Sequence, residues 1–399
     1  MTRCRLIHFK DEQEAKAMLQ AIGADPPGVQ IMKSKNSFYT ILVEELPLKA
    51  ALVLKQEMLA RGGECAVSRH VASLQAQKSN ALLSGTGLQF AKLVRKLRGQ
   101  SFGLNVLGQQ LADVIADSCS CPPALKFKNV TLSFGERTLL MGILNVTPDS
   151  FSDGGRYHTV EEAVEQALQM VQEGADIIDV GGESTRPGYQ GISTAEEIGR
   201  VVPVIQKLRA AAPAIPISID TYKAAVARAA LEAGADMFND IWGGRRDPEI
   251  LKIAAAAGLP ICLMHNRDNT QYRDLLSEVV ADLKDCAARA LAAGVAAENI
   301  VLDPGIGFGK DYLQNLEVMR YLQEITCLGY PILLGTSRKS TIGKILDLPA
   351  DQRLEGTAAT VAYGIACGVE IVRVHDVLEM SRVVRMTDAI CRGGRTFAG

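Results

Sequence analysis

The chain has 399 residues, 47% of them hydrophobic, and a formal net charge of -2. That length supports one large domain and a smaller one, and the near-neutral charge offers no basic field for nucleic acid or a membrane surface. Nine cysteines lack metal-ligand spacing, no apolar run is long enough to span a bilayer, and the opening MTRCRLIHFKDEQ has no apolar signal segment, so the expectation is a soluble cytoplasmic protein with reduced thiols.

Residues 1–118 read as a smaller N-terminal α/β domain. RLIHF (5–9), FYTILVEEL (38–46) and ECAVSRHVA (64–72) have strand character, while EQEAKAMLQAIGA (12–24), LKAALVLKQEMLARG (48–62) and GLQFAKLVRKLRG (87–99) have helical periodicity. Nothing here has catalytic spacing, and His8 and His70 read as ordinary packed or surface histidines, so no function is assigned to this segment. The stretch SCSCPPALK (118–126) interrupts the pattern, making 119–134 a linker leading into the next domain. Cys119 and Cys121, one residue apart, make a poor zinc pair and read as linker cysteines.

From 135 to 399 short apolar runs alternate with amphipathic stretches. The strand-like runs are 139–146, 175–182, 215–220, 235–240, 259–265, 298–305, 330–336 and 369–376. Between them lie helices such as EEAVEQALQMVQEG and AAVARAALEAGA, several ending in the Gly that commonly stops a helix. Eight such β/α units predict a (β/α)8 TIM barrel, and a doubly wound open sheet is disfavoured because no Gly-rich dinucleotide turn follows a strand. Asn145, Glu183, Thr185, Arg186, Asp220, Asn239, Asp240, His265, Asp303, Lys339, Arg373 and His375 all fall at or beyond the C-terminal ends of predicted strands, the catalytic face of such a barrel.

The loops at that face carry the chemistry. NVTPDSFSDGGR (145–156) reads as a loop over the barrel mouth, and in GGESTRPG (181–188) Arg186 offers a fork for a carboxylate or phosphate. SID (218–220) and ND (239–240) pair acceptor-only Asp with amphoteric Asn, a set that reads the edge of a heterocycle, although Asp220 is also placed to cap the following helix. In DPGIGFGK (303–310), Asp303 is the best candidate for a carboxylate reading such an edge, beside a wall from Phe308. GTSRKS (335–340) and VRVHD (372–376) end the last two strands, where barrels often bind phosphate. Arg373 and His375 point the same way there, which suits a pyrophosphate better than a buried structural ion pair.

Taken in order, these segments resemble the signatures of the dihydropteroate synthases over about residues 135–395. The resemblance implies a transferase of folate biosynthesis and sulfonamide target that condenses p-aminobenzoate with 6-hydroxymethyl-7,8-dihydropterin pyrophosphate. It implies a pterin pocket of Asp220, Asn239, Met264, Asp303, Phe308, Gly335 and Lys339. Asn145, Arg373 and His375 would bind pyrophosphate with Mg2+ near Asn145, and Phe151, Thr185, Arg186 and Ser340 would lie by p-aminobenzoate. Lys339, Arg373 and His375 are then catalytic, Asp153 would stabilise a pterin methylene cation, and the partner would be a second copy in a homodimer. One departure is LMHNRDNTQY (263–272), which leaves the conformation of that loop open. A methyltetrahydrofolate–corrinoid methyltransferase would need no pyrophosphate residues, and a non-catalytic pterin binder would need no Asp149, Phe151 and Asp153.

Overall fold

The computed structural model describes residues 3–9, 11–73, 75, 77–146, 160–183 and 191–392. The chain divides into two compact units, Met1–Ser120 and Cys121–Gly399.

The first unit contains α1 (Glu12–Ala21), α2 (Pro26–Asn36), β1 (Phe38–Pro47), α3 (Leu48–Leu59), β2 (Glu64–Val67), α4 (Arg69–Ala72), β3 (Lys78–Thr86), α5 (Gly87–Leu97) and α6 (Leu104–Cys119). The antiparallel sheet runs β1-β3-β2, with Leu83 of β3 buried among Leu54 and Met58 of α3 and Phe90, Leu93 and Leu97 of α5. Two expectations fail. Residues 5–9 form no strand, and the ladder in 64–72 stops at Val67 because Ser68 caps a short helix, its hydroxyl accepting from the His70 N–H, so His70 is helical. Besides that short helix α4, three elements are additional to those read from the sequence: α2, α6 and the central strand β3. In β3, Ser79, Ala81 and Leu83 face inward, and the small residues among them blur the alternation.

The second unit opens with a hairpin of β4 (Leu125–Lys126) and β5 (Thr131–Leu132). Then come β6 (Leu139–Asn145), α7 (Val160–Gln172), β7 (Ile177–Gly181), α8 (Thr194–Ala211), β8 (Ile217–Asp220), α9 (Ala224–Ala233), β9 (Met237–Asp240), α10 (Glu249–Ala257), β10 (Ile261–Met264) and α11 (Leu275–Ala292). They are followed by β11 (Ile300–Asp303), α12 (Tyr312–Arg320), α13 (Gln323–Thr326), β12 (Leu333–Leu334), α14 (Ser340–Leu346), α15 (Leu354–Ala366), β13 (Ile371–Val374) and α16 (Val377–Arg392). The eight-stranded sheet is parallel, in the order β11-β10-β9-β8-β7-β6-β13-β12, and a parallel bridge between Leu302 and Ile332 brings its ends together. This is the (β/α)8 barrel expected from the sequence.

The strand period of two sorts every strand. Leu140, Ile178, Ile219, Phe238, Leu263, Leu302 and Val372 face outward into the helix layer. Met141, Ile177, Met237, Cys262, Val301, Leu333 and Ile371 face inward and pack with Leu125, Phe127, Leu132 and Phe134 of the hairpin region, which plug the barrel floor. Two residues further along the same inward face come Asp179, Asn239, Met264, Asp303, Gly335 and Arg373. The change from apolar floor to polar mouth is therefore written in the strand parity.

Candidate active site

One pocket is lined by Asp220, Asn239, Ile241, Met264, Asp303, Ile306, Phe308, Gly335, Lys339 and Arg373. It brings together all seven residues named above for a heterocycle, together with Arg373 and two isoleucines that the motifs did not single out. Lys339 sits with its ammonium 4.1 Å from the centre of the Phe308 ring, a cation–π pair on the pocket wall.

The floor is a charged network. Arg373 donates from Nε to Asp179 Oδ2 (2.6 Å) and from Nη2 to Asp220 Oδ2 (2.6 Å). Asn239 donates from Nδ2 to the same Asp179 oxygen at 3.0 Å. The buried ion pair ranked second for Arg373 on sequence grounds is thus present. Asp220 does not cap α9, since the Ala224 N–H donates instead to Asp247 Oδ2 at 2.8 Å. Asp240 has the opposite parity to Asn239 and is spent on its own loop, accepting from the N–H groups of Trp242 (2.8 Å) and Gly244 (2.6 Å). Asp303 accepts from Gly305 N–H through Oδ1 at 2.7 Å.

Burial raises the Asp220 carboxyl to about 7, against the pull of Arg373 and with help from neighbouring Asp179. Burial likewise brings Asp303 to about 6, its Gly305 hydrogen bond working the other way. Desolvation, and then the Arg373 charge, lower Lys339 to about 8, while Asp303 and Asp220 hold it up. For Arg373 burial opposes the charge, but Asp179 and Asp220 outweigh it and push the guanidinium above its usual range.

His375 lies outside the pocket lining, where its Nδ1 meets Ser337 Oγ at 3.0 Å and that hydroxyl accepts from the His375 backbone N–H at 3.1 Å. Burial first, then Arg373 and Arg338, push this imidazole down to about 3, so it is neutral at physiological pH. Asn145 ends β6; its Oδ1 and Asp220 Oδ2 lie 3.6 and 3.8 Å from where a Gly181 Cβ would stand, so the two converge over this glycine. Ser340 is exposed as the first residue of α14, beside its N-cap Lys339. Phe151, Asp153, Thr185 and Arg186 lie outside the described residues.

The loop after β10, left open by its unusual sequence, is clasped to the loop after β11. Lys310 donates to His265 Nδ1 (2.8 Å) and to the Phe308 carbonyl (3.0 Å), and Tyr272 donates to the Gly309 carbonyl (2.6 Å). Arg267 holds Asp282 (2.8 Å) and Glu278 (2.6 Å), while His265 Nε2 stands 3.3 Å from Asp282, off the line of a hydrogen bond. Gly305, at φ +67°, is required because any Cβ there would overlap the His265 carbonyl oxygen. This clasp fixes the position of Phe308. Neither it nor Asp179 was legible as a motif, although Asp179 is an acidic residue in the middle of the apolar stretch Ile177–Gly181.

Two carboxylates, an amide and two cations gathered in one barrel mouth form the site. The model of the pterin binding enzyme family matches residues 141–375, and the chain belongs to that family. Within it, the chain groups with the dihydropteroate synthases. It is 57% identical over 271 residues to the dihydropteroate synthase of Clostridium beijerinckii, covering 67% of this chain and 100% of that one. It is 40% identical over 393 residues to a probable bifunctional folylpolyglutamate synthase/dihydropteroate synthase of Halobacterium salinarum, covering 95% of this chain and 46% of the relative, so the similarity extends into both compact units. A crystal structure of the Clostridium difficile dihydropteroate synthase in the presence of pteroic acid superposes with a TM-score of 0.63 and 54% identity, covering 65% of this chain and 98% of that one.

Proposed function

We propose that the barrel condenses p-aminobenzoate with 6-hydroxymethyl-7,8-dihydropterin pyrophosphate, giving 7,8-dihydropteroate and pyrophosphate. The observation that carries this reading is the pocket itself: two buried carboxylates and an Asn around one cavity, with Lys339 over Phe308 on its wall. Acceptors of this kind match the N–H-rich edge of a pterin, and a cation on the wall matches its carbonyl side.

In the reaction the pterin methylene–oxygen bond breaks with its electron pair going to pyrophosphate. The arylamine nitrogen then bonds to the methylene and loses one proton to solvent. Asp220, Asn239 and Asp303 orient the ring, and Lys339 donates to it. Arg373 contributes positive charge near the leaving group, and His375 contributes a neutral imidazole. Asp153 would face the developing methylene cation, with Phe151, Thr185, Arg186 and Ser340 around p-aminobenzoate, where a sulfonamide would compete.

Asn145 offers one oxygen to Mg2+. Among the described residues no group of three His, Cys, Asp or Glu is placed to hold a metal, so Asn145 is the residue of this chain that would meet the ion. Bound there, Mg2+ would neutralise charge on the leaving group.

Three further readings accompany this one. The two compact units act as separate domains, with catalysis confined to the barrel. A homodimer is supported by apolar side chains exposed on neighbouring α12, α14 and α15, among them Leu313, Ile345, Leu346 and Tyr363. The location is cytoplasmic, supported by nine cysteines scattered without metal-ligand spacing; no helix among the described residues is long and apolar enough to cross a membrane. Turnover of the two substrates, with and without Mg2+, tests the function. Methyl transfer from methyltetrahydrofolate, or pterin binding with no product, would select one of the rivals instead.

A further inference from the structure

Lys339 enters the pocket from a turn that its sequence does not favour. Its backbone N–H donates to the Thr336 carbonyl at 3.2 Å, and the residue just before it, Arg338, has φ +55°. At the third position of a four-residue turn that region is ordinarily occupied by Gly or Asn, because a larger side chain crowds the backbone there. Two residues at the N-terminal end of α15 hold the Arg338 peptide groups in place. The Arg338 N–H donates to Thr357 Oγ1 at 3.1 Å, and the Arg338 carbonyl accepts from Arg353 Nη1 at 2.9 Å. Thr357 Oγ1 in turn donates to the Arg353 carbonyl at 2.9 Å, so the two partners brace one another. Gly343 of α14 leaves room for this arrangement, since a Cβ there would overlap the Arg353 guanidinium. The Arg338 side chain pairs with Asp376, but through a long flexible stem that does not fix φ.

We propose that Arg353 and Thr357 are positioning residues for Lys339: by holding Arg338 in the left-handed region they aim the Lys339 ammonium into the pocket. The proposal rests on the pterin reading of that pocket, which neither residue lines. The Lys339 stem has little room to adapt. It passes Gly307, where a Cβ would stand 3.0 Å from Lys339 Cδ, and its ammonium lies 4.1 Å from the centre of the Phe308 ring. On the other side of Arg338, the Ser337 hydroxyl accepts from the His375 backbone N–H at 3.1 Å, which ties that residue to β13 and its loop. A return of Arg338 to negative φ would therefore change the chain direction at Lys339, and the ammonium would leave the Phe308 wall.

Calorimetric titration of the full chain with 6-hydroxymethylpterin, beside thermal melts, tests this in Thr357→Val, Arg353→Met and the double variant, each with and without Arg338→Gly. Thr357→Val keeps the shape of a fully buried side chain and removes the acceptor of the Arg338 N–H. The double variant removes both backbone partners at once, so neither can stand in for the other. Its affinity for the pterin should fall about tenfold, the scale on which an unsupported L-residue disfavours this region, with a smaller fall in each single variant. Glycine adopts positive φ without strain, so adding Arg338→Gly should bring affinity back to within about threefold of wild type without restoring Tm. That rescue separates positioning from a merely structural role, in which Arg338→Gly repairs neither affinity nor Tm. Wild-type affinity in the double variant, or a loss that Arg338→Gly does not repair, would overturn the inference. If the double variant does not fold, Thr357→Val decides: a loss repaired by Arg338→Gly supports the proposal, and an affinity unchanged or unrepaired overturns it. Failure of the wild type to bind the pterin would instead refute the pterin reading of the pocket.

Discussion

Replacing Arg373 by Met removes the one cation that joins Asp179 and Asp220 across the barrel. Both carboxylates are buried, and breaking such a pair from one side costs roughly 3–5 kcal/mol, because charge is left uncompensated. For a chain of this size that corresponds to a fall in Tm of roughly 10 °C. Sequence reasoning alone makes Arg373 an anion ligand whose loss spares the binding of free pterin. The bridge reverses that expectation. Arg373 is the main group holding the Asp220 carboxyl down, so in its absence this carboxyl rises above about 7 and takes up a proton at neutral pH. Free-pterin affinity should then fall along with pyrophosphate-dependent turnover, and should partly recover as pH rises from 7 to 9 and Asp220 ionises. The sign for stability is opposite. A carboxyl raised in the folded state binds a proton that the unfolded chain has released, so its stabilising contribution fades as pH rises from about 4 towards the folded value. Calorimetry with free 6-hydroxymethylpterin at several pH values, alongside thermal melts, reads all of this. Unchanged pterin affinity and Tm in Arg373→Met, with loss confined to pyrophosphate-dependent steps, would refute the reasoning.

Asp303→Asn should weaken pterin binding by roughly 10- to 100-fold, since an amide N–H replaces an acceptor-only oxygen in a buried site; equilibrium titration checks this. His375 should remain neutral between pH 5 and 8, so its ring signals in NMR should not titrate there. A chain beginning at Cys121 should fold and turn over at a rate comparable to the full chain, whereas one beginning at Arg137 should aggregate because the floor plug is gone. Within the full chain, Leu125→Ala at a fully buried plug position should cost roughly 2–5 kcal/mol in urea denaturation. Leu346→Glu should shift light-scattering mass from dimer to monomer if α12, α14 and α15 form the subunit contact.

The barrel was legible because its strands obey simple parity: apolar residues on both faces low down, polar inward residues at the C-terminal ends. Asp220, Asn239, Asp303 and Lys339 each follow or end such a run, which is why one pocket gathers them. Asp240 shows the limit of that reasoning, since only its parity, not its place beside Asn239, tells that it serves its own loop. The Arg373 bridge was harder to see because its partners lie on two other strands, about 150 and 190 residues away in sequence. The clasp from Lys310 to His265 was hidden for the same reason. In the N-terminal unit, β3 escaped notice because Ser79 and Ala81 fill inward positions that larger apolar residues usually mark. The Pro pair that opens α2 sits in a first helical turn, where Pro is favoured.

The central claim is that this barrel makes a carbon–nitrogen bond at a pterin methylene with release of pyrophosphate. Chromatographic detection of 7,8-dihydropteroate from p-aminobenzoate and 6-hydroxymethyl-7,8-dihydropterin pyrophosphate, with pyrophosphate measured in the same reaction, tests it most directly. The account predicts product and pyrophosphate in equal amounts, dependent on Mg2+ and strongly reduced in Lys339→Met. Tight binding of the pterin substrate with neither product nor pyrophosphate formed, under conditions where the folded wild type is saturated with both substrates and Mg2+, would contradict it.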